Sequence, residues 1–356
     1  MSELSYNSFL NQIHHIHAEL LDPFSPAQPI DLRTVPKNIA LRFLEQLVSI
    51  RAAEQKLARE KELGNLHGPV HLAIGQEAVP VGISKHITKD DFVFGGHRSH
   101  GHLLALGANL ENFFLEILGK KNGLCAGIGG SMHLQDMQSR FFGSVPIVAG
   151  TVPLALGAAF AAKMDQKSGL AVAYMGDGAV EEGVVHESLN IASVMKLPII
   201  FVVENNLFAS HMNITERQPS HFVARYAAAN NVPFEIVDGN DVMAVSAAFE
   251  LMSKQTRESC KPGFIEAITY RWLGHVDWRE DVDVGVSRDK ANIDAWKVKD
   301  PIKRLYNAME AERLIDPSEY NKIKIEIYDG VNSLWNKCLE QPETDFAQQT
   351  PTVFFE

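Results

Sequence analysis

Cysteine is scarce in this chain: Cys125, Cys260 and Cys338 are the only three in 356 residues. Their wide spacing excludes a disulfide framework and the paired pattern of a zinc or dithiol motif, so they read as reduced packing residues of a cytosolic protein. Clustered positive charge is missing too. Against 33 Lys and Arg stand 44 Asp and Glu, a net charge of -11 with no basic run, which excludes nucleic acid and an anionic membrane surface as partners. No apolar run reaches membrane-spanning length, and the first twenty residues lack a basic start followed by an apolar core. Neither secretion nor a helical membrane anchor is therefore expected. There is no internal repeat and no low-complexity segment. The glycines of Gly127-Ile-Gly-Gly130 are not accompanied by the lysine and hydroxyl of a phosphate loop, which excludes a nucleotide site of that kind and leaves them architectural.

What is present begins with residues 171 to 206. Ala-Val-Ala-Tyr-Met leads into Gly176-Asp177-Gly178, a helical stretch follows, and Pro-Ile-Ile-Phe-Val-Val-Glu204 leads into Asn205-Asn206. This is a βαβ unit with polar groups at the exits of two parallel strands. Neighbouring carboxyl ends of a parallel sheet open onto one crevice, so Asp177 and Asn206 can converge although 29 positions separate them. Gly176 and Gly178 allow a tight turn, and the following helix start offers free amides and a positive dipole end to an anion. Oxygen ligands beside such a helix start suggest magnesium diphosphate.

The rest of the chain suits a large α/β unit, for which 46% hydrophobic residues are ample. Four prolines, Pro23, Pro26, Pro29 and Pro36, mark residues 1–36 as an N-terminal helix and extended arm. Apolar residues at helical spacing, Ile39, Phe43, Leu47, Ile50 and Leu57, predict a packing helix over 37–62. Asp-Phe-Val-Phe-Gly-Gly96 reads as a strand, Phe234 to Val237 and Gly263 to Tyr270 as two more, and Val242 to Lys254 as a helix capped by the Asp238-Gly239-Asn240-Asp241 segment. These parts make 37–299 one binding domain. From Asp300 onward, Ile302, Leu305, Met309, Ile323, Ile327 and Leu334 give a helical C-terminal region, 300–356, expected to contact a partner or a second copy. The histidines at 97, 100 and 102 raise the question of zinc, but no cysteine or carboxylate completes a tetrahedral set at customary spacing. Arg98, just past a strand end, can instead fork onto diphosphate oxygens.

Gly-Asp-Gly, a spacer of just under thirty residues and Asn-Asn together form the thiamine diphosphate signature. With His71-Leu-Ala-Ile-Gly-Gln76-Glu77-Ala, His97-Arg98-Ser-His100, Gly-Gly130-Ser131-Met132-His133 and Arg271-Trp-Leu-Gly-His275, the chain resembles, from about Asn38 to about Tyr328, the alpha subunit of the heterotetrameric thiamine-diphosphate-dependent 2-oxo acid dehydrogenases. That resemblance implies the thiamine-diphosphate-binding fold, a mostly parallel sheet with helices on both faces. It implies that the side chains of Asp177 and Asn206 and the carbonyl of Phe208 hold magnesium, and that Arg98, His97, Val148, Gly176, Gly178 and Ala179 contact the cofactor. The family has tyrosine where this chain has His97. His71, His100 and His275 are implied at the reacting centre, where imidazoles suit proton transfer near neutral pH. His100, Phe142 and Pro146 are implied at the substrate pocket, within an apolar loop from Phe141 that wraps the cofactor.

The implied reaction is decarboxylation of a 2-oxo acid with reductive acylation of a lipoyl group on an acyltransferase component. The alternatives are an acetoin-cleaving relative, a stand-alone decarboxylase or ketol transferase, and a non-catalytic scaffold. In the family a homologous beta subunit supplies the activating glutamate in an α2β2 tetramer, so the chain alone is expected to be inactive and Glu77 is not a substitute. Relatives under kinase control carry a serine directly after the histidine corresponding to His275. Here that position is Val276, which argues against such control and leaves Ser287 as an ordinary loop serine.

Overall fold

Alternation along the strands sets the architecture. In the computed structural model, which describes residues 12–345 and 347 apart from 14, 167, 277 and 281–287, the main-sheet strands are β1 (Phe92–Gly95), β2 (Phe141–Ser144), β3 (Ala171–Gly176) and β4 (Ile199–Asn205). A two-stranded antiparallel ribbon, β5 (Phe208–Ala209) and β6 (Met212–Asn213), follows, and β7 (Phe234–Asp238) and β8 (Gly263–Ile268) complete the main sheet. Its order is β2-β1-β3-β4-β8-β7, every pair parallel. Ala171, Ala173, Met175, Ile199, Phe201 and Val203 join the core on one face. Val172, Tyr174, Ile200 and Val202 join the core on the other. Both faces are covered, which is why these strands read as unbroken apolar runs.

The first face packs against α5 (Val152–Met164), α6 (Gly183–Met195), α8 (Ala224–Ala229) and α10 (Lys290–Val298). The second meets α1 (Lys37–Glu62), α4 (Leu110–Ile117), α9 (Val242–Ser259) and α12 (Pro317–Leu339). The shorter helices are α2 (Ala78–Ser84), α3 (His100–Ala105) and α7 (Ile214–Arg217), and α11 (Pro301–Ala311) precedes α12. The expected packing helix has the bounds of α1 and buries Phe43, Leu47, Ile50 and Leu57. Asp241 caps α9 by accepting from the amides of Met243 and Ala244. Among the described residues no helix is long and apolar enough to cross a membrane.

Three expectations are refined by the structure. The apolar residues expected in the C-terminal region serve the chain's own core first: Ile302, Leu305 and Met309 pack with Phe43, Leu44 and Leu47 of α1 in a third core, and Arg51 of α1 pairs with Asp300, the cap of α11. Residues 141–144, expected within a loop, form the edge strand β2, because four extended residues suffice to pair with β1. Cys260 is not packed. It is exposed at the end of α9 in the left-handed conformation, while Cys338 is buried. The outward side of α5 and α6, with Leu154, Phe160, Met164, Ile191, Val194 and Met195, is apolar and exposed.

Candidate active site

The strand order reverses between β1 and β3, and at such a switch point the carboxyl ends open a crevice. Here it is a cavity of about 440 Å³. His97 and Arg98 follow β1, Asp177 and Gly178 follow β3, and Asn206 follows β4, so three strand exits feed one wall. His71, Gly176, Ala179, Phe208, Pro146, Val148 and His275 complete the set of expected residues that line it.

Asn206 is fixed from both ends. Its Nδ2 donates to Gln76 Oε1 at 3.2 Å, and its Oδ1 accepts from the Phe208 amide at 3.2 Å. The preceding Asn205 is structural: its Oδ1 accepts from the Leu207 amide at 3.1 Å and its Nδ2 donates to Glu266 Oε1 at 2.6 Å. Leu207 is held at a φ of 70°, a left-handed conformation unfavourable for leucine and sustained by these bonds. Glu266 lies wholly buried on β8 and also accepts from the amides of Val223 and Ala224 at the start of α8. Burial pushes its carboxyl up to about 7.

Asp177 is buried, and desolvation raises its pKa while Arg217 draws it back. Arg217, at the end of α7, donates to both Asp177 and Glu181. The loop that carries the Phe208 carbonyl is thereby tied to the Gly-Asp-Gly turn. Gly178 is required there, since a Cβ would lie 2.5 Å from that of Ala209. The helix expected directly after this turn begins later: a 3₁₀ turn, Ala179–Glu181, intervenes before α6.

Arg98 is buried, and its pKa is lowered to about 10 by desolvation, so it stays charged. It donates to the Leu72 carbonyl at 2.5 Å and to the His275 carbonyl at 3.1 Å, and lies 3.3 Å from His275 Nδ1. It therefore fixes the two segments that carry His71 and His275. The rings of His71, His97 and His275 stand 4.6 to 5.2 Å apart, edge to face. Burial, then the charge of Arg98, lowers His71 and His275 to about 2 and His97 to about 3. All three are neutral near neutral pH.

Two expected residues stand outside the cavity. His100 is fully buried behind it, with Nδ1 at 2.5 Å from Glu54 Oε1 and Nε2 at 2.8 Å from Ser131 Oγ. Glu54 in turn accepts from the Ala73 amide, so His100 shapes the His71 segment through α1 and touches no open space. Phe142 packs against Phe92 and Phe94 under the Arg140 guanidinium, because β2 turns it away from the cavity. Glu77 is committed to Arg51 and to the Gly75 amide. Ser287 lies outside the described residues.

Of the histidines at 97, 100 and 102, read as a pocket wall if not zinc ligands, His97 and His102 line the cavity; the sequence reading missed Glu204, which lines it too. His102 stacks on Tyr174 at 3.9 Å, with Nε2 at 3.3 Å from Glu204 Oε1. The position of Glu204 directly before Asn-Asn was the available signal. Gln76 and Arg217 were missed as well, since neither stands at a motif position that names a ligand.

Residues 45–346 match the model of the dehydrogenase E1 component family, and the chain belongs to that family. It is 40% identical over 238 residues to the alpha subunit of acetoin:2,6-dichlorophenolindophenol oxidoreductase of Bacillus subtilis, covering 67% of this chain and 72% of that protein. It is 33% identical over 313 residues to the alpha subunit of the pyruvate dehydrogenase E1 component of Rhizobium meliloti, covering 88% and 89%. The corresponding acetoin protein of Cupriavidus necator is 38% identical over 256 residues, covering 71% and 74%.

Membership implies thiamine diphosphate and magnesium, and the residues present fit both. Asp177, Asn206 and the Phe208 carbonyl offer hard oxygen donors for magnesium. His71 Nδ1 and Gln76 Nε2 are buried polar atoms with no protein partner, as expected of groups that a ligand satisfies.

Proposed function

We propose that this chain is the alpha subunit of an E1 component that decarboxylates a 2-oxo acid and passes the acyl group to a lipoyl disulfide, which is reduced as the acyl thioester forms and carbon dioxide leaves. The observation that carries this reading is the meeting of Asp177, Asn206, Arg98 and three neutral imidazoles around one cavity at the sheet's switch point. Thiamine diphosphate, when bound, supplies the nucleophilic carbon and the electron sink that decarboxylation needs.

The chain's own part is to bind and to move protons. Asp177, Asn206 and the Phe208 carbonyl would hold the magnesium, and Arg98 adds positive charge for the cofactor's diphosphate to the same wall. A neutral imidazole carries a proton on one nitrogen and a lone pair on the other. His71 and His275 can thus donate to or accept from a substrate oxygen without bringing a cation into the site. The rim residues Ile147 and Val148 are exposed, and a homologous beta subunit covering them would exclude water and bring the activating glutamate. Acetoin is the second reading for the substrate, favoured by the 40% identity to the Bacillus subtilis alpha subunit.

The test is calorimetric titration of magnesium and thiamine diphosphate into the chain alone and with its candidate beta partner, followed by lipoamide-coupled and dye-coupled turnover on pyruvate, branched-chain 2-oxo acids and acetoin. Turnover only with the partner is expected, and its substrate profile selects between the two readings. Absence of cofactor binding in both preparations would defeat the proposal.

A further inference from the structure

We propose that His71, His97 and His275 form a binding site for a borderline transition-metal dication such as zinc or cobalt, distinct in chemistry from the oxygen-lined magnesium position in the same cavity. The three side chains each bring a ligand nitrogen to within 4.8 Å of the other two. Their rings are mutually inclined at 64°, 65° and 79°, so no two of them stack face to face and shield each other's nitrogens. Zinc bonds imidazole nitrogen at about 2.0 Å, which sets nitrogens of a tetrahedral site about 3.3 Å apart. Rotations that bring each nitrogen in by roughly an ångström close the site, and the cavity leaves room for an exchangeable fourth ligand.

Two features support it. Nitrogen donors select zinc, cobalt and copper, whereas magnesium prefers the oxygens of Asp177, Asn206 and Phe208. His71 Nδ1 is buried and has no protein partner, the state of a lone pair or N–H that awaits a ligand. Arg98 and Arg271 oppose a dication here, so the site is weaker than a structural zinc site. Arg98 Nη2 touches His275 both at Nδ1 and at the carbonyl, and can stay on the carbonyl when the ring turns. This trio differs from the 97, 100 and 102 set that the sequence brings to mind, since His100 and His102 are committed to Glu54 and Glu204.

The site needs neither cofactor nor partner, so its test is independent of turnover. The full chain, freed of divalent ions, is titrated with cobalt chloride while the visible bands of four-coordinate cobalt are recorded, and the zinc-loaded chain is measured by X-ray absorption. One cobalt per chain is expected, with three imidazoles in the zinc shell. His97→Phe removes one ligand and keeps a ring of similar size. It is expected to weaken cobalt binding by at least about 100-fold, since even outer-sphere changes cost up to that much. A shell of oxygen donors alone, no stoichiometric uptake by the native chain, or unchanged affinity in a folded His97→Phe chain would overturn the proposal. Because the X-ray measurement uses the native chain, poor folding of the variant leaves the test intact.

Discussion

Acid is the perturbation that the three buried imidazoles single out. In the folded chain their pKa values lie at about 2 for His71 and His275 and about 3 for His97, against 6.5 when exposed. Between these limits the unfolded chain binds more protons than the folded one, so stability is intact above about 6.5 and falls as pH drops toward 3. One unit below 6.5, each unfolded-state imidazole is about ten-elevenths protonated, which favours unfolding by about 1.4 kcal/mol. Three such groups give an upper bound of about 4 kcal/mol. His97 and His275 keep some contact with solvent, which lowers the expected loss to roughly 2 to 3 kcal/mol, a large part of a typical total stability. The assay is urea unfolding of the cofactor-free chain, followed by tryptophan fluorescence, in the neutral range and about one unit below the free-imidazole pKa. Other groups titrate in this range too, so the decisive quantity is the difference between native chain and His97→Phe. The variant should lose about 1 kcal/mol less on acidification. Equal acid sensitivity in the two chains would refute the assignment of His97 as a buried neutral imidazole.

Other expectations rest on neighbouring contacts. Glu266→Ala leaves the Val223 and Ala224 amides and the Asn205 side chain short of an acceptor; it should destabilise the chain by about 3 kcal/mol and weaken magnesium-dependent cofactor binding, measured by denaturation and calorimetry. An unchanged magnesium requirement would show that Asn205 holds its loop without help. Arg51→Ala strands Glu77 and Asp300 and should cost about 3 to 5 kcal/mol by urea denaturation; a loss under about 1 kcal/mol would mean that this buried pair does not tie α1 to the following segments. Gly178→Ala drives a methyl against Ala209 and should lower cofactor affinity by about tenfold or more with little change in unfolding midpoint. Retained affinity would place the Gly-Asp-Gly turn away from the ligand.

The parts written in local pattern were legible. The bounds of α1, the cap of α9 and the strands around Asp177 and Asn206 follow from periodicity and from residues adjacent in sequence. The meeting of Asp177 with Asn206 was legible because parallel pairing fixes where strand exits lie. What failed was the direction of individual side chains. His100 lies three residues after His97 but enters α3 and points to Glu54, whereas His97 stays at the mouth of β1. Phe142 was misplaced because its strand could not be read from four residues of mixed pattern. Arg217, which reaches back to Asp177 across forty positions, ends the four-residue helix α7, too short for any periodicity to encode.

Glu54, His71, Arg98, Asn206 and His275 come from segments spread over most of the chain, and each is placed by partners from another segment. Such a cavity cannot exist in a fragment or in a half-formed intermediate, since closing its distant loops requires the whole parallel sheet. A ligand that fits it binds the finished chain alone, and at a concentration of a hundred times its dissociation constant it shifts the folding equilibrium by about 2.7 kcal/mol. Such a ligand would thereby favour completed chains over forms still open to aggregation and proteolysis.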